Sequence, residues 1–370
     1  MKITSVETIY VKAPLPYATG PATWYYTERD ALLVKISTDE GLVGWGETAA
    51  LAGVRYIIER QIAPALIGAD PRDHRALWRK MWGMNFGDGM AVGGVDIALH
   101  DLWGKALGVP VYALYGGKLR DRVPAYASSL TYRRDLNPNE QYPEEAVQLV
   151  ERGFQAIKLR IGGQSLRRDI EMARRVREAV GPDILLTADG NGAYSLATAI
   201  PMGKALEELG YYWFEEPLPQ PGHAGYAEMT RTLDIAVAGG EGLGSRLAFK
   251  DLLDRRAVDI IQPDPALCGG IRECLFIAEL AKLYGLQTMP HCWAGAIVHA
   301  AVLHVLALLS DASWSRAAEP PLLEMDVVPN PFREELVTQP FRLEDGQVSI
   351  PTGPGLGIEV DEAVVQRYRA

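Results

Sequence analysis

Apolar and polar residues alternate along the first part of the chain, which is the pattern of half-buried β-strands. The alternation covers residues 3–11 and 31–37, and a third strand over 42–47 follows the hairpin turn at 39–41. Apolar residues at helical spacing follow over 56–66, 72–81 and 93–107. Gly108 and Pro110 end the last helix. Residues 1–120 are therefore expected to form an α+β domain.

From about residue 123 short apolar runs alternate with amphipathic helical stretches, which indicates βα units around a parallel sheet. The predicted strands are 123–127, 156–161, 184–189, 211–216, 235–241, 258–264 and 286–291, with 322–325 as an eighth. Helices fit between them, for example over 166–180, 195–209 and 270–284. Seven or eight such units predict a closed barrel.

The predicted fold class is α/β, a (β/α)7β TIM-like barrel with an α+β N-terminal capping domain that the C-terminal tail completes. The capping domain is expected over 1–120, the modified barrel over 121–325 and the tail over 326–370. Five prolines interrupt the tail, and its segment 351–357, rich in Pro and Gly, is expected to fold back onto the capping domain.

The composition of the chain limits which binding partners and which cell compartment are expected. The formal net charge is -10 and no run of Lys and Arg forms a basic face, so a nucleic-acid partner is not expected. The three cysteines form no CxxC pair and suit no disulfide framework, which favours reduced thiols in a cytoplasmic protein. The first residues lack the apolar core of a signal peptide, and no stretch has the length of a membrane span.

Five predicted strands end in an acid or a histidine, at nearly equal intervals of about one βα unit. They are Asp189, Glu215, Glu241, Asp264 and His291. Because the carboxyl ends of barrel strands meet at one mouth, these side chains are expected to converge there.

Asp189, Glu215 and Glu241 would come from three consecutive strands. Carboxylates about 4 Å apart repel each other by about 4 kcal/mol per pair at an effective dielectric near 20. A hard dication removes this repulsion, and ligands that are all oxygen favour Mg²⁺ over Zn²⁺. One Mg²⁺ per active site is therefore expected. For a single acid, capping of the following helix is the alternative interpretation.

Asp264 and His291 form a second group, in which the acid fixes the tautomer of the imidazole and His291 acts as a general base. Lys158 and Arg160 form a third group, because residues two apart on a strand face the same side. These cations could hold an anionic substrate, form ion pairs with the nearby carboxylates, or do both.

Glu319 and Glu324 lie near the last predicted strand. Either, if protonated, could donate a hydrogen bond to the charge that develops on a substrate carboxylate. We favour Glu324 because it lies in an apolar run, 322–325, and a surface acid is the alternative for both.

Motifs spread along nearly the whole chain resemble those of the enolase superfamily, mandelate racemase subgroup. They include Gly44-Trp45-Gly46-Glu47, Val95-Asp96-Ile97-Ala98-Leu99-His100-Asp101, Leu114-Tyr115-Gly116-Gly117 and the spaced acids. The tail is similar to that of galactarolactone cycloisomerases. The resemblance implies that Asp189, Glu215 and Glu241 bind the metal, that Asp264 and His291 form the dyad, and that Glu324 lies beside the substrate carboxylate.

One position departs from the family pattern. The subgroup usually has Lys-x-Lys where this chain has Lys158-Leu159-Arg160, and its second Lys is the other acid/base. Arginine stays protonated and is a poor base, so the site offers one good proton acceptor, His291. A single base suits β-elimination of water from a sugar acid. A sugar-lactone cycloisomerase, a racemase or epimerase of a 2-hydroxy acid, and a catalytically silent metal-binding barrel are the alternatives.

The resemblance also implies that two loops of the capping domain, about 17–28 and 49–55, cover the barrel mouth. Trp24 and Tyr25 in the first loop, together with Asn191 and Glu319, are assigned to substrate binding, although the aromatic rings could equally pack a domain interface. The expected partner is a small carboxylate substrate, a sugar acid, and the family resemblance favours a homo-oligomer.

Overall fold

The structure is a computed structural model that describes residues 1–84, 89–220, 222–313, 315 and 318–370. The chain begins with three strands of an antiparallel sheet, in the order β3-β2-β1, and a fourth strand from later in the chain joins the sheet beside β1. The first three are β1 (Ile3–Gly20), β2 (Tyr26–Thr38) and β3 (Val43–Thr48). β1 and β2 extend beyond their predicted ends, because their pairing continues as far as Thr19 and Tyr26. Much of the expected loop 17–28 is therefore strand.

Helices cover one side of this sheet. They are α1 (Ala52–Ile57), a π-helical turn (Ile58–Ile62), α2 (Ala63–Leu66), α3 (His74–Met84) and α4 (Gly89–Leu107), followed by a 3₁₀ turn (Val111–Tyr115). α4 is buried along most of its length and packs on β3. The backbones approach closely, since a Cβ atom at Gly46 would collide with the carbonyl oxygen of Gly94.

The chain then alternates between strands and helices. The strands are β4 (Arg122–Ser128), β5 (Tyr132–Arg133), β6 (Ala156–Arg160), β7 (Leu185–Asp189), β8 (Trp213–Glu215), β9 (Ala236–Gly239), β10 (Ile260–Ile261), β11 (Gln287–Thr288) and β12 (Leu323–Asp326). The helices are α5 (Pro138–Glu151), α6 (Leu166–Val180), α7 (Leu196–Glu208), α8 (His223–Thr232), α9 (Arg246–Asp254), α10 (Ile271–Leu283) and α11 (Ala296–Leu308).

Eight parallel strands form the second sheet in the order β11-β10-β9-β8-β7-β6-β4-β12. The last strand lies beside the first, and one helix separates each strand from the next, so the predicted (β/α)7β barrel is confirmed. β5 leaves the barrel and pairs with the end of β1. Side chains alternate between the two sides of each strand. On β8, Phe214 belongs to the main hydrophobic core, while Trp213 packs against Tyr126 from β4 with ring centroids 5.4 Å apart.

The tail contains α12 (Pro331–Glu334), β13 (Gln347–Ser349) and α13 (Glu362–Tyr368). β13 pairs with β4 of the barrel. The tail also returns to the first sheet, because Glu362 accepts from Lys35 Nζ at 2.7 Å and the amide of Ala370 donates to the carbonyl of Tyr10 at 3.0 Å. The boundaries near residues 120 and 325 remain predictions. In the part of the chain that the structure describes, no helix combines the length and the hydropathy that crossing a bilayer requires.

We expect Gly46→Ala to destabilise the protein, because the added methyl group meets backbone rather than a movable side chain. Overpacking of this kind costs about 1–3 kcal/mol, measurable as a lower free energy of unfolding in urea. The control is Gly53→Ala on exposed α1, where nothing lies within 4 Å of an added Cβ atom. A loss of stability in Gly53→Ala as large as in Gly46→Ala would contradict the packing argument.

Candidate active site

The pleat of the barrel strands brings charged side chains together at their carboxyl ends. Arg160 lies opposite Asp189 in the pairing of β6 with β7, and Asp189 lies opposite Glu215 in the pairing of β7 with β8. Lys158 is two residues before Arg160 and shares its face. Glu324 projects from β12, and Lys158 Nζ lies 2.7 Å from its Oε1 atom.

Asp189, Glu215 and Glu241 converge as predicted, with one carboxylate oxygen from each lying within 4.8 Å of the others. Glu241 follows the end of β9 and so reaches the group from a loop. Trp213 Nε1 and Gln262 Nε2 donate to Glu215 Oε2 at 2.9 and 2.8 Å and fix that side chain. These three carboxylates form the candidate metal site.

The candidate metal site has the chemistry that a hard dication requires. All its donors are carboxylate oxygens, the ligand type that Mg²⁺ prefers. Glu241 Oε2 is buried and has no hydrogen-bond partner among the described residues. A buried carboxylate oxygen without a donor is costly, and a bound cation would satisfy it. Burial raises the pKa of Glu241, and the charge of Glu215 raises it further, while His291 and Lys158 oppose the shift.

Lys158 lies at the centre of this cluster and is fully buried. Its Nζ atom is 2.6 Å from Glu215 Oε1 and 3.6 Å from Asp189 Oδ2, in addition to its contact with Glu324. Burial lowers the pKa of Lys158, but Glu215 and Glu324 outweigh that effect and raise it above its ordinary value. The ammonium group is therefore charged.

Arg160 points into the same space and forms an ion pair with Asp189. Its Nη1 atom also donates to Asn191 Oδ1 at 3.3 Å, and its guanidinium carbon lies 5.1 Å from the ring centre of Trp293. Burial lowers the pKa of Arg160, yet Glu324 and the neighbouring acids raise it overall. The predicted ion pairs of Lys158 and Arg160 with the acids are thus present in the structure.

Asp264 and His291 are brought together as a hydrogen-bonded pair. His291 Nδ1 is 2.7 Å from Asp264 Oδ2, and the other oxygen of Asp264 accepts from the amide of Ala266 at 2.7 Å. The free ring nitrogen, Nε2, faces the metal site and lies 3.6 Å from Glu241 Oε2. Burial lowers the pKa of His291, but Glu241, Glu324 and Asp264 together raise it to about 10.

Glu324 is an acceptor in this structure. Its Oε2 atom accepts from the amide of Cys292 at 2.9 Å, and its Oε1 atom faces Lys158. Burial raises the pKa of Glu324, but Lys158, His291 and Arg160 hold it well below its usual range. The donor role expected from the sequence requires a protonated Glu324, and it stays a prediction. A substrate carboxylate beside Glu324 would raise this pKa, because a like charge disfavours ionisation.

A cavity of about 440 Å³ opens above these residues. Arg160, Asn191, Glu241, Asp264 and His291 line its base, and the capping domain forms the opposite wall. From the predicted set of substrate-binding residues, the structure therefore places Asn191 at the cavity. Asn191 also holds one acid of the candidate metal site in place, because its backbone N–H donates to Asp189 Oδ1 at 2.8 Å.

The aromatic residues of the 21–26 segment divide between two environments. Trp24 lines the cavity and is 59% exposed, and Tyr26 lines it as well. Tyr25 is not among the lining residues, and its ring lies 5.1 Å from the guanidinium carbon of Arg134. The structure thus places Tyr25 outside the cavity lining, because alternate residues of this segment face opposite sides, and its assignment to substrate binding stays a prediction.

Glu319 lies away from the cavity, so its assignment to the substrate site is also wrong. Its Oε2 atom accepts from the hydroxyl of Tyr212 at 3.1 Å, and this tyrosine precedes β8. The same hydroxyl oxygen lies 2.9 Å from Oε1 of Gln287, the first residue of β11. Glu319 is therefore at the amino ends of the strands, opposite the end that carries the acids.

Several residues of the site were not predicted. Arg29 from β2 and Arg160 from β6 both lie against Trp293, with guanidinium carbons 4.5 and 5.1 Å from its ring centre. Arg29 is held by Asp326, whose Oδ2 atom accepts from Nη2 at 2.8 Å. Glu47 also lines the cavity. It ends a family motif, which was the available signal, but the motif did not indicate where its carboxylate points.

A second cluster of possible ligands, His74, Asp96 and His100, is buried between α3 and α4. His74 Nε2 is 2.8 Å from Asp96 Oδ1, and Asp96 Oδ2 accepts from the amide of Ile271 at 2.8 Å. His100 Nε2 is 2.6 Å from the hydroxyl of Tyr115. These hydrogen bonds already use the atoms that a metal would need, so the cluster is structural.

Comparison with known proteins agrees with this geometry. Residues 4–116 match the N-terminal domain of the mandelate racemase / muconate lactonizing enzyme family, and residues 141–364 match the enolase C-terminal domain-like family. The chain is 35% identical to a D-galactarolactone cycloisomerase of Agrobacterium fabrum, over 100% of this chain and 99% of that protein. It is 34% identical to an arabinonate dehydratase of Saccharolobus solfataricus, over 92% and 95%.

A solved structure of a mandelate racemase/muconate lactonizing protein from Paracoccus denitrificans, complexed with magnesium, superposes with a TM-score of 0.84 at 33% identity. The superposition covers 100% of this chain and 98% of that one. Both matched domains, the barrel and the strand-end acids therefore lead to the same assignment: the chain is an enzyme of the mandelate racemase / muconate lactonizing enzyme family within the enolase superfamily.

Proposed function

We propose that the protein is a Mg²⁺-dependent acid-sugar dehydratase that removes the proton next to the substrate carboxylate. The observation that carries the proposal is the placement of His291. Its Nδ1 atom is held by Asp264, while Nε2 points at the candidate metal site and at the cavity. A base with one fixed nitrogen and one nitrogen directed at the substrate space is the arrangement that proton abstraction requires.

The charge of Glu241 is the main cause that raises the pKa of His291, and a bound Mg²⁺ would neutralise that charge and lower the pKa. In this mechanism the neutral His291 then accepts the α-proton at Nε2, and Asp264 stabilises the imidazolium that forms. The electron pair of the broken C–H bond moves into the carboxyl group and gives an enediolate. Lys158, which is charged and buried, stabilises the added negative charge by an interaction that strengthens as the charge develops. Asp189, Glu215 and Glu241 would hold Mg²⁺, which when bound supplies positive charge that neutralises these acids and the substrate oxygens.

The second half of the reaction expels the β-hydroxyl. The enediolate electron pair forms the C–C double bond as the C–O bond breaks, and the imidazolium of His291 protonates the departing hydroxyl when both lie on one face. Water and an enol are the products, and the enol tautomerises to a 2-keto-3-deoxy acid. His291 thereby returns to its neutral form.

Arg160 supports an elimination over a racemisation. A racemase needs a proton acceptor on each face of the α-carbon, and the family position of the second acceptor holds a charged guanidinium paired with Asp189. Guanidinium groups stay protonated in proteins. The close relatives named as dehydratases support the same reaction class.

A cycloisomerase is the second candidate function. It is favoured by the relative in Agrobacterium fabrum, which matches this chain along its whole length. The same proton transfer to His291 would apply, with a ring oxygen instead of a hydroxyl as the group that leaves. A catalytically silent metal-binding barrel is disfavoured, because the three acids of the candidate metal site and the pair of Asp264 and His291 are both assembled.

A panel of aldonates, aldarates and their lactones, each incubated with the protein and Mg²⁺, separates the candidates. We expect one or more aldonates to yield a 2-keto-3-deoxy acid, detected with semicarbazide and by mass loss of one water. Conversion of a lactone without loss of water would identify the cycloisomerase instead. Inversion at the α-carbon as the sole reaction would contradict the one-base argument.

We expect His291→Asn to abolish exchange of the substrate α-hydrogen in D₂O, measured by NMR, because the amide cannot accept the proton. Removal of a general base typically costs about 10²–10⁴ in rate. The control is His223→Asn, which removes a similar histidine whose Nδ1 atom lies 2.7 Å from Asp251 on the outside of the barrel. Exchange that persists in His291→Asn would assign the base to another residue.

We expect chelation to stop turnover and added Mg²⁺ to restore it and raise the melting temperature. At about a hundred times Kd the ion would stabilise the fold by about 2.7 kcal/mol. Glu241→Gln should lose most of this stabilisation, because it removes a ligand charge, whereas Glu319→Gln at the other end of the barrel should keep it. Equal Mg²⁺ stabilisation in both variants would place the metal elsewhere.

A further inference from the structure

The segment that follows β11 carries His291, and three carboxylates accept hydrogen bonds from it. Asp264 binds the imidazole, and Glu324 accepts from the amide of Cys292. The third carboxylate is Glu47, whose Oε1 atom accepts from the amide of Gly295 at 2.6 Å. Two of these acids belong to the barrel, and Glu47 comes from β3 of the capping domain.

Glu47 acts as the N-terminal cap of a helix in another part of the chain. α11 begins at Ala296, and its N-cap residue, Gly295, has no side chain that could accept from the first amides. Glu47 Oε2 accepts from the amide of Val298 at 3.3 Å, so both of its oxygens are used by the first turn of α11. A carboxylate at this position also interacts favourably with the helix dipole.

The site is closely packed around this carboxylate. Glu47 is 2% exposed, and a Cβ atom at Gly295 would lie 2.8 Å from its Oε1 atom. Burial raises the pKa of Glu47 to about 7, while the amides of Gly295 and Val298 lower it. Both oxygens accept from amides, which directs the carboxylate of Glu47 at the first turn of α11.

We propose that Glu47 is a positioning residue that fixes the direction of the His291 ring by anchoring Gly295, four residues along the same segment. This inference rests on the proposed role of His291 as the base. A displacement of about 1 Å at the reacting atoms costs about a hundredfold in rate. Glu324 holds only the amide next to His291, and Asn330 Nδ2 donates to the carbonyl of Ala294 at 3.2 Å. Glu47 adds the contact with the amides at the start of α11, so its loss would loosen the segment at that end.

The test uses Glu47→Ala and Glu47→Gln, with Glu207→Ala as the matched control. Glu207, near the end of α7, also accepts from two backbone amides, those of Asp234 at 2.5 Å and Ile235 at 3.1 Å. These two residues precede β9, at the amino end of the barrel. Loss of Glu207 should lower the melting temperature and leave kcat unchanged.

For Glu47→Ala we expect kcat and α-hydrogen exchange to fall by about ten- to a hundredfold, with KM and the Mg²⁺ Kd nearly unchanged, because Lys158 and the three metal-site acids are untouched. Glu47→Gln retains one carbonyl oxygen for Gly295 but presents an NH₂ group to Val298. It should recover part of the lost kcat and remain testable if the Ala variant does not fold.

A readout that does not need turnover separates this proposal from the proposed function. The proton shared by His291 Nδ1 and Asp264 should give a low-field ¹H NMR resonance, identified by its absence in His291→Asn. Broadening or loss of this resonance in Glu47→Ala and its retention in Glu207→Ala would support the positioning role, even if no sugar acid is dehydrated. An unchanged resonance in both Glu47 variants, or wild-type kcat in both, would overturn it.

Discussion

The active-site end of the barrel depends on the mutual compensation of buried charges. A carboxylate or ammonium group removed from water without a partner is strongly destabilised. Here Lys158 is enclosed by three carboxylates, and Arg160 is paired with Asp189. The floor beneath them is formed by Trp213 and Gln262, which donate to Glu215. Each charge is tolerated because the strand pairing holds its partner in place.

The balance is incomplete at Glu241 Oε2, which lies at the candidate metal site. Among the described side chains of the cluster, Glu241 Oε2 faces only His291, at a distance too long for a hydrogen bond. A structural ion network would be expected to satisfy it. The loop position of Glu241 leaves its Oε2 atom without a donor and brings the side chain next to both the candidate metal site and the imidazole of His291. Glu241 therefore lies between the acids that would bind the metal and the base that would accept the proton.

Hydrophobic periodicity was sufficient to predict the barrel, because each strand-helix unit buries its apolar face locally. It also located the acids, since a strand end is visible where an apolar run stops at a charged residue. Contacts that join distant segments were not predictable in this way. Nothing in the local pattern places Arg29 on Trp293, or Glu47 on the amides of α11. Glu319 was misplaced for the same reason, because sequence proximity to β12 does not tell which end of the barrel it occupies.

The interface between the capping domain and the barrel uses the same type of bond twice. Asp96 in α4 accepts from the amide of Ile271, the first residue of α10, as Glu47 does for α11. Thr48 and Trp78 add hydrogen bonds to the carbonyls of Ala266 and Gly269. The loops after Asp264 and His291 are thus shaped by groups that lie in the first hundred residues.

The contact of the tail with β1 affects how the protein unfolds. Residues near 355–370 hydrogen-bond to Asp101 and Tyr10 in the capping domain, while β13 pairs with the first barrel strand. One short segment therefore ties both halves together, and neither half has its full set of partners alone. Heating should consequently melt the chain in a single cooperative transition, and separating the halves as independent fragments would leave both with exposed hydrogen-bonding edges.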